Sequence, residues 1–208
     1  CLYIQYYRLV KAGEEGNKVD VFQYSDESGN KRNIFKDSCF CFQVCDTALK
    51  TKDDNNYTVV MTVYVGPHGQ IFIHDVLRER VPVPKQYGHL VTQRLRYPEA
   101  QFQAVEEQAS GIGLLQEGRA KGTPFRPLKA KGDKVQRATV ICTAYENRMV
   151  FHRSPNQATW LEEFENEILF FPNSRHDDQV DCLSYAGMLS LNRALTSVSG
   201  PLILNDTD

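Results

Sequence analysis

The sequence lacks long hydrophobic runs and has few cysteines. Its longest wholly apolar runs are four residues, residues 168–171 among them, which is too short for a membrane-spanning helix. Six cysteines in 208 residues are too few for a scaffold held together by disulfides, and Cys39, Cys41 and Cys45 lack CxxC spacing. We therefore predict reduced, mostly buried thiols in an intracellular protein. Because the first residue is Cys rather than Met, we expect the chain to be a piece of a longer protein.

Several common nucleotide-binding and hydrolytic motifs are also absent. The sequence has no G-x-x-x-x-G-K-[ST] phosphate loop, and Gly111-Ile112-Gly113 lacks the third glycine of a dinucleotide-binding fingerprint. It contains neither a G-x-S-x-G nor an HExxH motif, and its five histidines show no zinc-ligand spacing. These absences exclude ATP or NAD binding by those motifs and argue against a zinc enzyme.

Charge is nearly balanced overall but unevenly distributed. The chain has 24 basic and 26 acidic residues, a formal net charge of −2, which argues against a general nucleic-acid binder. Residues 119–137, however, contain seven basic residues and a single acid, Asp133. This basic strip could contact phosphate groups. Because the basic strip is separate from the acidic clusters in the sequence, we expect the protein to bind a polyanion on one surface and metal ions at another.

The pattern of apolar residues predicts one mixed α/β domain. The first fifty residues indicate antiparallel strands, and three β-prone runs at residues 39–45, 57–65 and 70–77 predict a three-stranded meander. Short strands then alternate with helices, which predicts one mixed α/β sheet flanked by helices. We assign residues 1–196 to a single domain and residues 197–208 to a loose C-terminal tail.

Acidic side chains stand at the ends of several predicted buried elements. Asp46 closes the first strand of the meander, Glu106 closes a later strand, and Asp177, Asp178 and Asp181 open the last helix. Each acid alone could simply be the polar residue that ends a strand. Together they would repel one another in the crevice where parallel strands end, so a divalent cation is the natural counter-ion. Oxygen ligands favour Mg2+ or Mn2+, and two such ions support phosphodiester hydrolysis.

The spacing of the three acids at the last helix predicts different roles for them. Ser174 and Asp177 have the spacing of a capping box, in which the serine caps the helix and the acid reaches back to the serine amide. Asp178 and Asp181 are three residues apart and so lie on one helical face. We therefore expect Asp178 to bind metal, Asp181 to approach it, and Asp177 to have a structural role.

Several segments together resemble a known family. They read DTA at residues 46–48, DDNNYTVV at 53–60, VEEQASG at 105–111, KGDK at 131–134 and FPNSRHDDQVDCLS at 171–184. The last is the most specific, because a proline, a turn, HDDQVD and then an apolar helix are seldom met outside this family. Over about residues 38–192, the chain resembles the C-terminal nuclease domain of the large terminase subunit of tailed double-stranded DNA bacteriophages.

The resemblance implies an RNase H-like fold and a nuclease that cuts concatemeric viral DNA before and after packaging. It also implies an N-terminal packaging ATPase, which this chain does not include, and two partners, the small terminase subunit and the portal of the procapsid. The expected location is the cytoplasm of an infected bacterium, transiently at the procapsid.

The family's metal-binding positions carry over to particular residues of this chain. Asp46, Glu106 and Asp178 would be the catalytic carboxylates that bind two Mg2+ or Mn2+ ions. Asp181 would be an additional ligand or a close neighbour of the ligands.

Three basic residues of the strip are expected to contact DNA phosphates, namely Lys131, Lys134 and Arg137. The alternative for the two lysines is that they form only the solvated start of a helix. Nothing in the sequence resembles a base-reading element, and phosphate contacts carry no sequence information, so we expect cleavage without sequence specificity.

Two competing functions remain open from the sequence. One is another enzyme of the same fold, such as a ribonuclease H, a Holliday-junction resolvase or a transposase-like integrase, since these also cluster carboxylates on a meander. The other is a non-catalytic module that docks on DNA or on the portal and whose acids bind a structural cation or nothing. Metal-dependent cleavage would separate an enzyme from a docking module, and substrate preference would separate the enzymes.

Overall fold

The structure is a computed structural model that describes residues 3–47, 57–107, 110–129 and 133–199. Within these ranges the chain forms one nine-stranded sheet with five α-helices. The strands are β1 (Gln5–Ala12), β2 (Val19–Ser25), β3 (Lys31–Phe35), β4 (Phe40–Asp46), β5 (Thr58–Val65), β6 (Ile71–Glu79), β7 (Gln103–Glu106), β8 (Arg126–Leu128) and β9 (Val150–Arg153). The helices are α1 (Val83–Arg96), α2 (Ser110–Ala120), α3 (Lys134–Glu146), α4 (Leu161–Phe170) and α5 (Asp178–Ser199).

The sheet combines antiparallel and parallel pairing, as predicted. In the described residues its strand order is β3-β2-β1-β9-β6-β5-β4-β7-β8. The strands β1 to β3 form one antiparallel meander and β4 to β6 form another. Strand β9 joins the two meanders through parallel pairing with β1 and β6, while β7 and β8 continue the sheet in parallel beyond β4. The predicted mixed sheet is therefore confirmed.

Strand β5 lies at the centre of the second meander and is buried along its whole length. Its residues alternate between the two faces of the sheet, as side chains of a strand must. Met61 and Val63 contribute to the core on one face, whereas Val60 contributes to the core on the other. A strand buried on both faces explains the nearly continuous run of β-branched residues in this segment.

Helices cover both faces of the sheet. Ile141 of α3, Phe164 of α4 and Leu183 of α5 belong to the larger core, on one face. Leu90 of α1 and Leu114 of α2 belong to the core on the opposite face. A third cluster, containing Tyr7, Phe22, Phe72 and Phe151 among others, packs the first meander against the rest of the sheet. In the ranges described, no helix is long and apolar enough to cross a membrane.

Helix α5 is longer than the sequence pattern predicted. It extends to Ser199, so residues 197–199 continue the helix where a loose tail was expected. Residues 191–199 contain no glycine or proline, the residues that most disfavour a helix, and Gly200 and Pro201 follow directly after them. The remainder of the predicted tail, residues 200–208, lies outside the described residues.

Candidate metal centre

Two of the predicted carboxylates end neighbouring parallel strands. Asp46 is the last residue of β4 and Glu106 is the last residue of β7. The two strands pair in parallel with Cys45 opposite Val105, so the next residue along each strand is a predicted ligand. The two acids therefore lie side by side at one edge of the sheet, as the argument from strand ends predicted.

Helix α5 brings two more carboxylates to the same edge. Asp178 is its first residue, and Asp181 follows about one turn later. The thiol of Cys182 lies 3.8 Å from the carbonyl oxygen of Val44 and 3.9 Å from that of Val59, which places the start of α5 against β4 and β5. Asp46 pairs with Val59 across these strands, so the helix start lies close to Asp46.

The four carboxylates interact electrostatically. Burial of Asp46 raises the pKa of its carboxyl to about 8, and the negative charges of Asp181, Asp178 and Glu106 add to the increase. Burial also raises the pKa of Asp178 to about 6, and the negative charge of Glu167 is the second cause of this increase. Both shifts mean that the protein destabilises the charged forms of these acids, which is the condition that a bound cation would relieve.

Two basic side chains of α3 neutralise Asp181. The Nζ of Lys134 lies 2.7 Å from Oδ2 of Asp181 and 2.6 Å from Oδ2 of Asp177. A terminal nitrogen of Arg137 lies 2.9 Å from the other carboxylate oxygen of Asp181 and donates a hydrogen bond to it. Both oxygens of Asp181 are therefore engaged by cationic groups of α3.

The predicted DNA contacts are only partly described. Lys134 and Arg137 lie at the carboxylate cluster, and their DNA-binding role stays a prediction. Lys131 falls in residues 130–132, which lie outside the described residues.

Tyr185 holds Glu106 and was not identified from the sequence. Its hydroxyl donates a hydrogen bond of 2.7 Å to Oε1 of Glu106, and burial raises the pKa of Tyr185, with the Glu106 contact adding to the increase. Arg137 lies over the Tyr185 ring, 5.6 Å from its centroid. Tyr185 lies seven residues after Asp178, or about two turns along the same face of α5, and this spacing could have identified it.

Arg78 is a second group that sequence reasoning missed. It lies on β6, and one of its terminal nitrogens is 3.8 Å from Oδ2 of Asp178. Its guanidinium group stacks on the Tyr57 ring at 3.5 Å from the centroid, and another terminal nitrogen pairs with Glu163. Only 6% of its side chain is exposed. A single arginine directly after the predicted strand at residues 70–77 gave no signal of this position, because its partners come from distant segments.

The predicted capping box at the last helix is wrong. Helix α5 begins at Asp178, and the buried hydroxyl of Ser174 has no hydrogen-bond partner. The first amides of the helix instead donate to Glu167 of α4. Local spacing cannot reveal such a cap, because the acceptor comes from another helix.

The donor set fits a hard divalent cation. As their side chains stand, no three His, Cys, Asp or Glu residues among those described are grouped closely enough to hold a metal ion. Asp181 and Glu106 are held by bases and a hydroxyl group, as described above. However, the buried Oδ2 of Asp178 accepts no hydrogen bond, and burial, together with repulsion from the other acids, raises the pKa of Asp46. Carboxylate oxygens are the ligands that Mg2+ and Mn2+ prefer, and a bound cation would compensate the negative charge of these two acids.

Comparison with known proteins identifies similar sequences and folds. The sequence profile of the family described as Terminase RNaseH-like domain matches residues 43–189. No curated protein matches the chain. The fold is similar to that of the large terminase nuclease from thermophilic phage G20c with bound magnesium, with a TM-score of 0.57 and 16% identity over 90% of this chain and 92% of that one.

Two further solved structures are similar at lower scores. The cobalt-bound form of the G20c nuclease gives a TM-score of 0.53 and 15% identity, covering 90% of this chain and 92% of that one. The human cytomegalovirus terminase nuclease domain, soaked with Mn and bound to an inhibitor, gives a TM-score of 0.52 and 12% identity, covering 74% and 85%. These likenesses confirm the predicted RNase H-like fold.

Proposed function

Because the chain belongs to the Terminase RNaseH-like domain family, we propose that it is a metal-dependent endonuclease that cuts concatemeric viral double-stranded DNA during genome packaging. The cuts are made without sequence specificity. The small terminase subunit and the procapsid portal are the proposed partners, and an N-terminal ATPase of the intact protein drives packaging. The proposed place of action is the cytoplasm of an infected bacterium, transiently at the procapsid.

One observation carries this proposal. Asp46, at the end of β4, is half-buried; burial raises the pKa of its carboxyl group, and the negative charges of Asp181, Asp178 and Glu106 raise it further. A structural role alone gives no reason to collect four acids at one sheet edge, since their repulsion opposes folding. The solved nucleases of similar fold bear magnesium, cobalt or Mn, which supports the use of a divalent cation.

The residues would divide the work as follows. Asp46, Glu106 and Asp178 are the proposed ligands of two Mg2+ or Mn2+ ions, which when bound would activate water and stabilise charge on the leaving oxygen. Asp181 is proposed as a neighbour of the ligands, because Lys134 and Arg137 engage both of its oxygens. This arrangement brings two positive charges to the edge of the carboxylate cluster, which favours a DNA phosphate there.

A cleavage assay on supercoiled plasmid tests the proposal. The chain is incubated with Mn2+, with Mg2+ or with excess EDTA, and ATP is omitted. We expect nicked and linear products with either metal and none with EDTA. The matched variants are Asp178→Asn, expected to be inactive, and Glu162→Gln, which changes an exposed acid of α4 and should cut normally. Full activity in EDTA, or in Asp178→Asn, would refute the proposal.

Substrate competition separates the remaining alternatives. Linear duplex, RNA–DNA hybrid and a four-way junction are offered under the same conditions. Preference for the duplex supports the proposed function, whereas preference for the hybrid or the junction indicates another nuclease of this fold. An absence of cleavage on all three, with DNA still bound, indicates a docking module.

A further inference from the structure

The carboxylate of Glu167 joins two helices beside the candidate metal centre. Glu167 lies in the second half of α4, and its side chain is only 5% exposed. Its Oε1 accepts hydrogen bonds from the backbone N–H groups of Gln179 at 2.6 Å and Val180 at 3.3 Å. Its Oε2 accepts a third hydrogen bond, of 2.7 Å, from the side-chain amide of Gln179.

This contact takes the place of an ordinary helix cap. The first N–H groups of a helix have no acceptor within the helix, and a nearby serine, threonine or aspartate usually supplies one. Here Ser174 does not, since its hydroxyl has no partner. A buried carboxylate at this end also interacts favourably with the helix dipole. The position of the first turn of α5 is therefore set by a residue of α4.

The residue that this cap places is Asp178. Asp178 begins α5 and immediately precedes Gln179, whose amide makes the shortest of the Glu167 hydrogen bonds. The buried Oδ2 of Asp178 accepts no hydrogen bond that could orient the carboxylate directly. Its direction therefore depends on the backbone at the helix start and on nearby charge.

Arg78 links the same two acids by charge. Its Nε lies 3.9 Å from Oε2 of Glu167, and a terminal nitrogen lies 3.8 Å from Oδ2 of Asp178. These separations exceed hydrogen-bond length, and the guanidinium carbon lies over the Tyr57 ring, 3.5 Å from its centroid. Arg78 therefore offsets the repulsion between Glu167 and Asp178 without hydrogen-bonding either one.

We propose that Glu167 is a positioning residue, which caps α5 from α4 and thereby holds Asp178 in place to bind the divalent cation. The inference rests on the proposed function, because it assigns Asp178 to that cation. Glu167 itself is not proposed to touch the metal, since its two oxygens are occupied by three N–H donors.

Mn2+ binding measured by titration calorimetry tests the role of Glu167. Glu167→Ala removes the cap, and we expect its Mn2+ affinity to fall by about 10-fold to 100-fold, the usual effect of removing a group that supports a metal ligand. Glu167→Gln keeps an acceptor oxygen for the Gln179 amide and should recover most of the affinity. Hydrogen exchange at the amides of residues 179 and 180 should be faster in the alanine variant than in the glutamine variant.

Ile168→Ala provides a control for lost stability. Ile168 neighbours Glu167 on α4 and is buried in the larger core, so its truncation should lower the melting temperature. Its apolar side chain makes none of the three hydrogen bonds of the cap, which all go to Glu167, so at a temperature well below unfolding its Mn2+ affinity should match that of the unsubstituted chain. If Glu167→Ala does not fold, Glu167→Asp withdraws the acceptor by one methylene and should also weaken Mn2+ binding.

The outcomes separate this proposal from the function on which it rests. Unimpaired Mn2+ binding by Glu167→Ala or by the aspartate variant overturns the positioning role alone. An equal loss of affinity in Ile168→Ala also overturns it, since general destabilisation would then explain the effect. Failure of the unsubstituted chain to bind Mn2+ overturns the proposed function and the positioning role with it.

Discussion

The ammonium group of Lys134 lies 2.7 Å from Oδ2 of Asp181, so a base of α3 neutralises an acid of α5 at the candidate metal centre. The same ammonium group lies 2.6 Å from Oδ2 of Asp177, and it therefore bridges two acids of the HDDQVD segment. A bound cation and Lys134 would both compensate the negative charge of this cluster. The stability of the protein should consequently depend on both of them.

We predict that Lys134→Met destabilises the metal-free protein by about 1 kcal/mol, the upper range for partly exposed ion pairs. The variant should gain more stability from Mn2+ than the unsubstituted chain does, because its carboxylates have lost the neighbouring positive charge of Lys134. Urea unfolding with EDTA and with Mn2+ measures both effects. Lys121→Met, which removes an exposed ion pair with Glu117 on α2, is the control. Equal Mn2+ stabilisation of the two variants would contradict the prediction.

Asp177 and Asp178 are adjacent but should respond differently to the same substitution. We predict that Asp178→Asn abolishes cleavage and leaves the melting temperature in EDTA unchanged or raised, because it removes a repelling charge from the cluster. Asp177→Asn should lose part of the ion pair with Lys134, with a slightly lower melting temperature, and keep most of its activity. Plasmid cleavage and thermal unfolding are measured on both. If Asp177→Asn is inactive and Asp178→Asn cuts normally, the assignment of the ligand is wrong by one residue.

The strand-end acids could be identified from the sequence because the relevant signals are local. Alternation and apolar runs located β4 and β7, and the residue that ends each strand then follows directly, which gives Asp46 and Glu106. Parallel pairing of the two strands is a property of the α/β fold class, so their proximity could also be expected.

The groups that surround these acids could not be identified in the same way. Glu167 reaches the amide of Gln179 from another helix, and Arg78 reaches Asp178 across 100 positions of the chain. Neither contact produces a periodicity or a spacing in the sequence. Ser174 shows the opposite error, since a matching local motif predicted a cap that tertiary packing supplies from elsewhere.

Buried histidines should make stability fall at acidic pH. Burial lowers the pKa of His74 from its usual 6.5 to about 3, and Arg153 adds to the decrease, while its Nδ1 lies 2.8 Å from the Tyr7 hydroxyl. The neutral form is favoured in the folded state, so the unfolded state binds the proton first. Stability is therefore fully present above about pH 6.5 and is lost as pH falls towards 3.

We predict that His74→Asn reduces the slope of stability against pH between 6.5 and 5 by up to about 1.4 kcal/mol per pH unit. The asparagine keeps a polar group near the Tyr7 hydroxyl, and overall stability at pH 7 should be lower because the ring is lost. Urea unfolding at several pH values gives the slope. His68→Asn, at an exposed histidine, is the matched control. Parallel curves for His74→Asn and the unsubstituted chain would show that His74 does not cause the acid sensitivity.

The backbone at Glu106 is tightly packed against α2. Helix α2 approaches the end of β7 at Gly111, where a Cβ atom would lie 1.9 Å from the carbonyl oxygen of Glu106. No rotamer change can relieve that clash, because the obstructing atom belongs to the backbone. At Gly113, two residues along the same helix, a Cβ atom would meet nothing within 4 Å.

Gly111→Ala must therefore displace either α2 or the strand end that carries Glu106. We expect it to destabilise the protein by about 2 kcal/mol or more, as overpacking of a rigid contact does, and to weaken Mn2+ binding by moving a proposed ligand. Gly113→Ala should instead stabilise the protein by about 0.5–1 kcal/mol, the usual preference for alanine over glycine inside a helix. Urea unfolding and Mn2+ calorimetry on the pair separate the clash from helix propensity. If both variants behave alike, the contact between Gly111 and Glu106 does not fix the position of the strand end.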